Sequence, residues 1–455
     1  MEQQGEIWTA EQVLALAPDA ASRKAGARLA EPGPWSDAGA GDGALWGLCE
    51  GSGGTRYRTV VDTTGPAFAC GCPSRKFPCK HALALSLLWA GGAVPTTGAE
   101  PPRWANEWLT ARRNRAEPAA NAAVSPASSE SHRATANADA ARRRAQARAR
   151  RIAAGASELE QRLEDMLLSG LASMERAGYG PWDETAARMV DAQAPGLAAR
   201  VRELGSVPAS GPDWPARLLE ELALLHLLDE GFLGIERLPA PLAATVRSRV
   251  GLNTDAAEVL SGPDTTTIRD RWLVLGQQDR EDGRLTARRI WMRGERTGRM
   301  ALHLSFSGPD RPLDLALPPG LVLDADLAYY PGARPLRAAL GERRAPTASG
   351  GVPQGGGVDA ALAAYGDALR DDPWLDAWPV VLADVVPIPG RGSGDWQLAD
   401  ADGESALPLD PRWSGRCSRW QLASISGGEP VTVFGECGHR GFTPLTVWDP
   451  EPVSL

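Results

Sequence analysis

Three thiols and one imidazole stand within twelve positions, as Cys70-Gly71-Cys72, six intervening residues, and Cys79-Lys80-His81. The spacing C-x-C-x6-C-x-H has a geometric logic. In an extended segment the side chains at i and i+2 point to the same side, so Cys70 and Cys72 can face one ion. Gly71 is expected to relieve crowding between them, and Pro73 and Pro78 to stiffen the loop leading to the second pair. Cys79 and His81 fall where the apolar segment 81–90 begins a helix. Three thiolates and an imidazole form a tetrahedral shell suited to Zn2+, whereas a His ligand is uncommon in an iron–sulfur centre. Four protein ligands leave no coordination position for water or substrate. The expected chemistry is structural: one zinc ion holding a small domain together, with no catalytic residue.

Cations surround this cluster. Arg75, Lys76 and Lys80 lie in or beside the zinc loop, and Lys24, Lys76 and Lys80 are the only lysines in the chain. As partner-binding candidates they offer phosphate neutralisation; the alternative is that they offset the charge of three thiolates. Other Cys and His residues do not assemble into a second site. Cys437-Gly438-His439, with Cys417 upstream, lacks a fourth ligand and reads as a turn between strands. Cys49 reads as a buried strand residue and His226 as a helix residue. No P-loop, G-x-G-x-x-G, G-x-S-x-G or H-E-x-x-H is present. The chain is expected not to be an enzyme. That question stays open for the C-terminal region, because a cryptic site in the helical and β parts, with residues such as Asp191 and Gln193 in a cleft, is a third reading.

Positioning the four ligands takes a hairpin and a helix. Runs 45–49 and 57–61 read as strands joined through a glycine-rich loop. With the zinc loop and its helix they give a ββα finger core over 45–90, inside a first domain of 1–113. Thr9-Ala10-Glu11-Gln12 has capping-box spacing. Residues 114–155 read as a flexible linker that ends in the basic run 142–151. Leu159, Leu163, Met166, Leu167 and Leu171 then mark an amphipathic helix. Two more follow at 182–193 and 217–229, with Pro195-Gly196 read as a break, so 156–250 is expected to be a helical domain. From 251 to 455 the period changes to two. Strands are expected at 272–275, 285–291, 301–306, 321–323, 395–398, 420–425, 431–434 and 445–448, with one helix at 359–370. The fold class is α+β multidomain: an N-terminal ββα zinc finger domain, a helical middle domain and a β-rich C-terminal domain.

Charge restricts where a polyanion can bind. The net charge is −9, which argues against a chain that coats nucleic acid along its whole length. Residues 1–151 are net +5 and residues 152–455 net −14, so a polyanion-binding surface belongs to the N-terminal part. The start of the chain is polar and acidic, and no apolar run approaches a membrane span of about 18 residues. A cytoplasmic protein with reduced thiols is the expectation, and no membrane contact or small-molecule substrate is evident.

The segment 45–89, with its β-β-zinc loop-α order and C-x-C-x6-C-x-H ligands, resembles the SWIM zinc finger. Its neighbouring text, Leu45-Trp46-Gly47-Leu48-Cys49-Glu50-Gly51-Ser52-Gly53 and Cys72-Pro73-Ser74-Arg75-Lys76-Phe77-Pro78, is similar to that of bacterial SWIM-containing proteins. The similarity extends through Ala187-Arg188-Met189-Val190-Asp191-Ala192-Gln193-Ala194-Pro195-Gly196-Leu197. The resemblance implies an interaction module for DNA or protein, since such fingers accompany transposases and chromatin-remodelling ATPases. The resulting expectation is a zinc-binding, non-enzymatic adaptor whose finger engages a protein or nucleic-acid partner. Its alternative is a purely architectural finger, with the partner surface or a cryptic activity in the C-terminal parts.

Overall fold

The computed structural model describes residues 8–455 apart from 18–19, 52–53, 65–66, 75–77, 96–99, 117–129, 263–266, 283–284, 308–314, 316, 344–349, 391–395 and 414–415. Over 113–116, 130–142 and a few other helix and strand positions only the backbone is described.

Two short helices open the chain, α1 (Ala10–Ala15) and α2 (Ala20–Leu29). The capping box is present: Gln12 N–H donates to the Thr9 hydroxyl at 3.2 Å, and Thr9 N–H to the Gln12 side chain at 2.8 Å. A four-stranded antiparallel sheet follows, β1 (Trp35–Gly41), β2 (Ala44–Glu50), β3 (Arg56–Asp62) and β4 (Ala67–Cys70), in that spatial order. Helices α3 (Lys80–Ala90) and α4 (Arg103–Ala116) cover its two faces. Alternation along the strands decides the division. Leu45, Val61 and Phe68 pack against Leu83, Leu85 and Leu88 of α3, whereas Ala44, Trp46 and Val60 pack against Ala105 and Leu109 of α4. The expected ββα hairpin is therefore the middle pair of four strands. In β1 the ladder to β2 shifts register between Ser36 and Gly39, and Asp37 sits at a φ of 50°. That bulge breaks the two-residue alternation by which strands are recognised.

The middle of the chain is helical: α5 (Glu130–Ser169), α6 (Ala172–Ala177), α7 (Gly180–Asp191), α8 (Pro195–Leu204), α9 (Trp214–Leu233) and α10 (Ala240–Val250). Two expectations are corrected here. The flexible linker of 114–155 does not extend to 155, because α4 reaches Ala116 and α5 is helical from Glu130. Its basic run is part of α5, and two of its arginines are tied to the bundle. Arg148 donates to the Gly251 carbonyl at 2.9 Å, and Arg151 to the Gln193 side chain at 2.8 Å. Pro195 is no break either; it occupies the first turn of α8, where its missing N–H costs nothing. Ile152, Leu159, Trp182, Met189, Leu197, Val201, Leu218 and Leu225 form the shared core. One core position carries a charge-bearing group: Asp229 is fully buried, and neither of its carboxylate oxygens has a hydrogen-bond partner among the described residues.

The bundle closes most tightly where α8 begins. A Cβ on Gly196 would stand 1.9 Å from the Arg249 carbonyl oxygen at the end of α10. Gly196→Ala is therefore expected to force these helices apart and to cost about 3 kcal/mol. Gly180→Ala, where a Cβ meets nothing within 4 Å, should be neutral or slightly stabilising. Chemical denaturation of both variants checks this; equal midpoints would refute the close-approach argument.

The C-terminal part begins with α11 (Ala256–Ser261) and contains two antiparallel sheets. The first comprises β5 (Thr267–Asp282), β6 (Leu285–Gly294), β7 (Met300–Ser307), β8 (Val322–Tyr329) and β9 (Ala338–Arg343). After α12 (Val358–Asp371), the second comprises β10 (Ala377–Ile388), β11 (Gln397–Asp400), β12 (Ala406–Pro408), β13 (Val431–Gly438), β14 (Gly441–Trp448) and β15 (Pro452–Ser454). Leu273, Leu275, Trp291 and Val322 of one sheet meet Val381, Phe434, Leu445 and Trp448 of the other, while the alternate residues Trp272 and Val274 face a second core. Residues 420–425, expected as a strand, lie in α13 (Arg416–Ser426). Leu422 and Ser426 are its buried side chains among those described, and exposed Trp420 packs edge-on against Trp396 with centroids 5.2 Å apart. Tertiary contact overrides the β-favouring side chains there. Trp374, from the connection after α12, inserts into the core of the helical bundle, and its indole N–H donates to the Leu224 carbonyl at 2.9 Å. Among the described residues no helix is long and apolar enough to cross a membrane.

Candidate metal centre

Strand β4 ends at Cys70, and Cys72 lies two residues further on in the turn. Cys79 is the N-cap of α3, with extended backbone (φ −75°, ψ 166°), and His81 is the second helical residue. The sheet and the helix thus deliver one pair of ligands each. The ligand atoms of Cys70, Cys72, Cys79 and His81 all lie within 4.8 Å of one another. His81 Nδ1 stands 3.7 Å from Cys70 Sγ and 4.0 Å from Cys79 Sγ. A tetrahedral zinc with Zn–S of about 2.3 Å and Zn–N of about 2.0–2.1 Å separates S and N by about 3.6 Å, so the donor set fits the ion. The four residues are close enough to bind one zinc, which would supply the charge that lets three neighbouring sulfurs ionise together.

Protonation tells the same story. Hydrogen bonds from Cys70 and Cys79 pull the Cys72 thiol far below its ordinary range. Cys79, facing Cys70 and Cys72 and partly desolvated, is pushed far above it. Crowded thiols compete for one negative charge unless a cation is shared. Cys79 also sits at the start of α3, where the backbone N–H of Ala82 favours a thiolate.

The fold supplies supporting groups that spacing alone does not reveal. Thr59 pairs with Cys70 across the β3–β4 ladder, and its hydroxyl lies 3.3 Å from Cys70 Sγ. The Tyr57 ring covers the His81 imidazole at 5.1 Å. Both residues point to the metal side of β3, and Arg58 between them lies over Trp104 on the other face. Their period-two placement beside a ligand strand was the available signal. Beyond its two chain neighbours, a Cβ on Gly71 would meet nothing within 4 Å. Pro78 is buried and Pro73 exposed.

Of the candidate cations, Lys80 is exposed on the first turn of α3. Arg75 and Lys76 lie outside the described residues. Cys49 is fully buried in β2, and burial raises its thiol to about 11; it is not part of the cluster. Cys437 is buried in β13, its thiol likewise raised to about 11 by burial, and the Cys417 side chain lies outside the described residues. The cluster around His81 is the one group of metal-type ligands found among the described residues. His226 is exposed and pairs with Glu160 at 2.6 Å. Asp191 and Gln193 are exposed at the end of α7 and just beyond it.

Residues 69–89 match the family model described as a SWIM zinc finger. Residues 147–250 match that of a SWIM-associated four-helix bundle domain. These two segments are similar to a SWIM zinc finger and to the bundle associated with it, and the matches span the four candidate ligands and the helices from within α5 to α10. No curated protein and no solved structure matches the chain.

Proposed function

We propose that this protein is a non-enzymatic adaptor in which one structural zinc ion fixes the N-terminal fold and the cationic rim of the finger engages nucleic-acid phosphates. Four protein ligands complete a tetrahedral shell, so the ion has no position free for a substrate. The observation that carries the choice of partner is the polarity of the finger surface. Lys80 is exposed there, and among the described residues of the finger no large hydrophobic side chain is exposed. A protein partner that docks by apolar burial would need such side chains. In sequence Arg75 and Lys76 stand between the ligand pairs, a few residues before Lys80.

A second reading, a protein partner, has its support elsewhere. Leu168, Leu219 and Leu227 are exposed on α5 and α9 of the bundle, so an apolar contact would use that domain rather than the finger.

The test is titration of labelled single- and double-stranded oligonucleotides with the whole protein. Binding is expected to weaken steeply with salt and to depend little on sequence. Each of Arg75→Ala, Lys76→Ala and Lys80→Ala should lower the slope of log K against log salt by about 0.7–0.9. Absence of binding to the zinc-loaded protein at about 50 mM salt, where phosphate contacts are strongest, would remove nucleic acid and leave the protein partner.

A further inference from the structure

Away from the finger, α10 and the facing ends of the two C-terminal sheets enclose a cleft of about 960 Å³. Its charge runs against that of its surroundings. Residues 152–455 are net −14, yet the cleft is lined by eight arginines and five carboxylates. Three of the five carboxylates are already engaged by guanidinium groups. Asp279 is occupied by Arg288, which donates to both of its oxygens at 2.7 Å. Asp372 on the cleft wall accepts from Arg249 at 2.7 Å. Glu436 on β13 is nearly buried and serves two cations, Arg289 at 2.6 Å and Arg280 at 3.5 Å.

One carboxylate between two guanidinium groups leaves a positive charge in a partly desolvated wall. Arg289 lies over Trp291, 5.4 Å from the ring centroid, with only 20% of its side chain exposed. Burial weakens its hold on the proton, and the charge of Arg280 adds to that effect while Glu436 opposes it. Around it, Arg337, Arg412 and Arg440 line the same cleft and form no ion pair among the described residues. Arg337 is held against Tyr330 at 4.2 Å by cation–π contact. Concave walls of low dielectric focus such a field, and guanidinium forks match phosphate and carboxylate oxygens in pairs. Small-ligand sites typically occupy about 300–1,000 Å³, which is the size of this cleft.

We propose that this cleft binds a small, multiply charged anion of phosphate or carboxylate type, held by Arg289, Arg337, Arg412 and Arg440. The site is separate from the finger and does not depend on what the finger binds. It also places a small-molecule ligand in a region where the sequence shows none. The arginines come from the strand β6, the β8–β9 connection, the segment after β12 and the β13–β14 turn, so only the assembled sheets bring them together.

Isothermal titration of the whole zinc-loaded protein, with inorganic pyrophosphate and with citrate as separate probes, tests the proposal. At least one probe should bind with a stoichiometry of one, more weakly as salt is raised. The double variant Arg412→Gln/Arg440→Gln should weaken it by about tenfold or more with an unchanged unfolding temperature. Arg23→Gln, on the surface of α2, should have no effect. If the double variant unfolds, Arg337→Gln alone should show the same loss. Binding by pyrophosphate alone identifies the phosphate-type ligand, and binding by citrate alone the carboxylate type. Failure of both probes, or binding that survives all these cleft variants unchanged, would overturn the proposal.

Discussion

Stripping zinc from the intact protein should unfold the N-terminal domain and leave the helical and β parts folded. The ligands join elements that are otherwise held by a modest core. Cys70 and Cys72 belong to the end of β4 and the turn beyond it, Cys79 and His81 to the start of α3, and Pro78 between them is buried. A structural zinc contributes about 10–16 kcal/mol of apparent binding energy in small fingers, more than the net stability of a typical domain, about 5–15 kcal/mol. Cys79→Ser has the largest expected effect of the single substitutions, because it removes a ligand and leaves a hydroxyl in the buried core that Cys79 shares with Leu83. His81→Ala should act in the same direction. Hydrogen exchange read by mass spectrometry would show fast exchange across β1–β4 and α3 after chelation, with α5–α10 and the two sheets still protected. Retained protection in the finger after complete metal removal would mean that packing alone holds it.

The second large effect is expected at Asp229. Burial, and next the neighbouring Glu160 carboxylate, raise its pKa from 3.8 to about 9. The unfolded chain therefore releases this proton near pH 4, whereas the folded bundle keeps it to about pH 9. A raised folded-state pKa contributes stability that is complete below the unfolded value and is lost as pH rises. The bundle should be most stable in mild acid and weaken progressively towards pH 9, by an amount on the order of 4 kcal/mol at pH 7. Asp229→Asn, neutral at every pH, should gain a few kcal/mol at neutral pH and flatten the dependence. Denaturant unfolding of the two proteins at pH 5 and pH 8 measures it. An Asn variant that is no more stable at pH 8, with the same slope as wild type, would show that Asp229 is ionised in the fold.

How much of this could be read from the chain varied with distance along it. The zinc ligands were legible because all four fall within twelve positions and the local periods of strand and helix dictate how they meet. The β5–β8 strands and α12 were legible because alternation or helical period persists over their length. What failed was local punctuation that has two meanings. Pro195 ends a helix in one context and starts one in another, and here it opens α8. The bulge in β1 hid a strand inside glycine-rich text. Asp229 did carry a signal, since it continues the buried stripe of Leu218, Leu222 and Leu225 towards Phe232, but a single acid in an apolar helix reads as exposed by default. The arginine cleft had no signal at all, because its residues come from segments scattered between α10 and β14.

X-ray absorption at the zinc edge, on protein purified without added metal, tests the central claim most directly. One zinc per chain is expected, with three sulfur neighbours at about 2.3 Å and one nitrogen at about 2.0–2.1 Å. In Cys72→Ser the sulfur count should fall or the metal should be lost. A shell with two sulfurs and an exchangeable water, or full zinc content in a variant lacking Cys70 and Cys72, would contradict a closed, structural site.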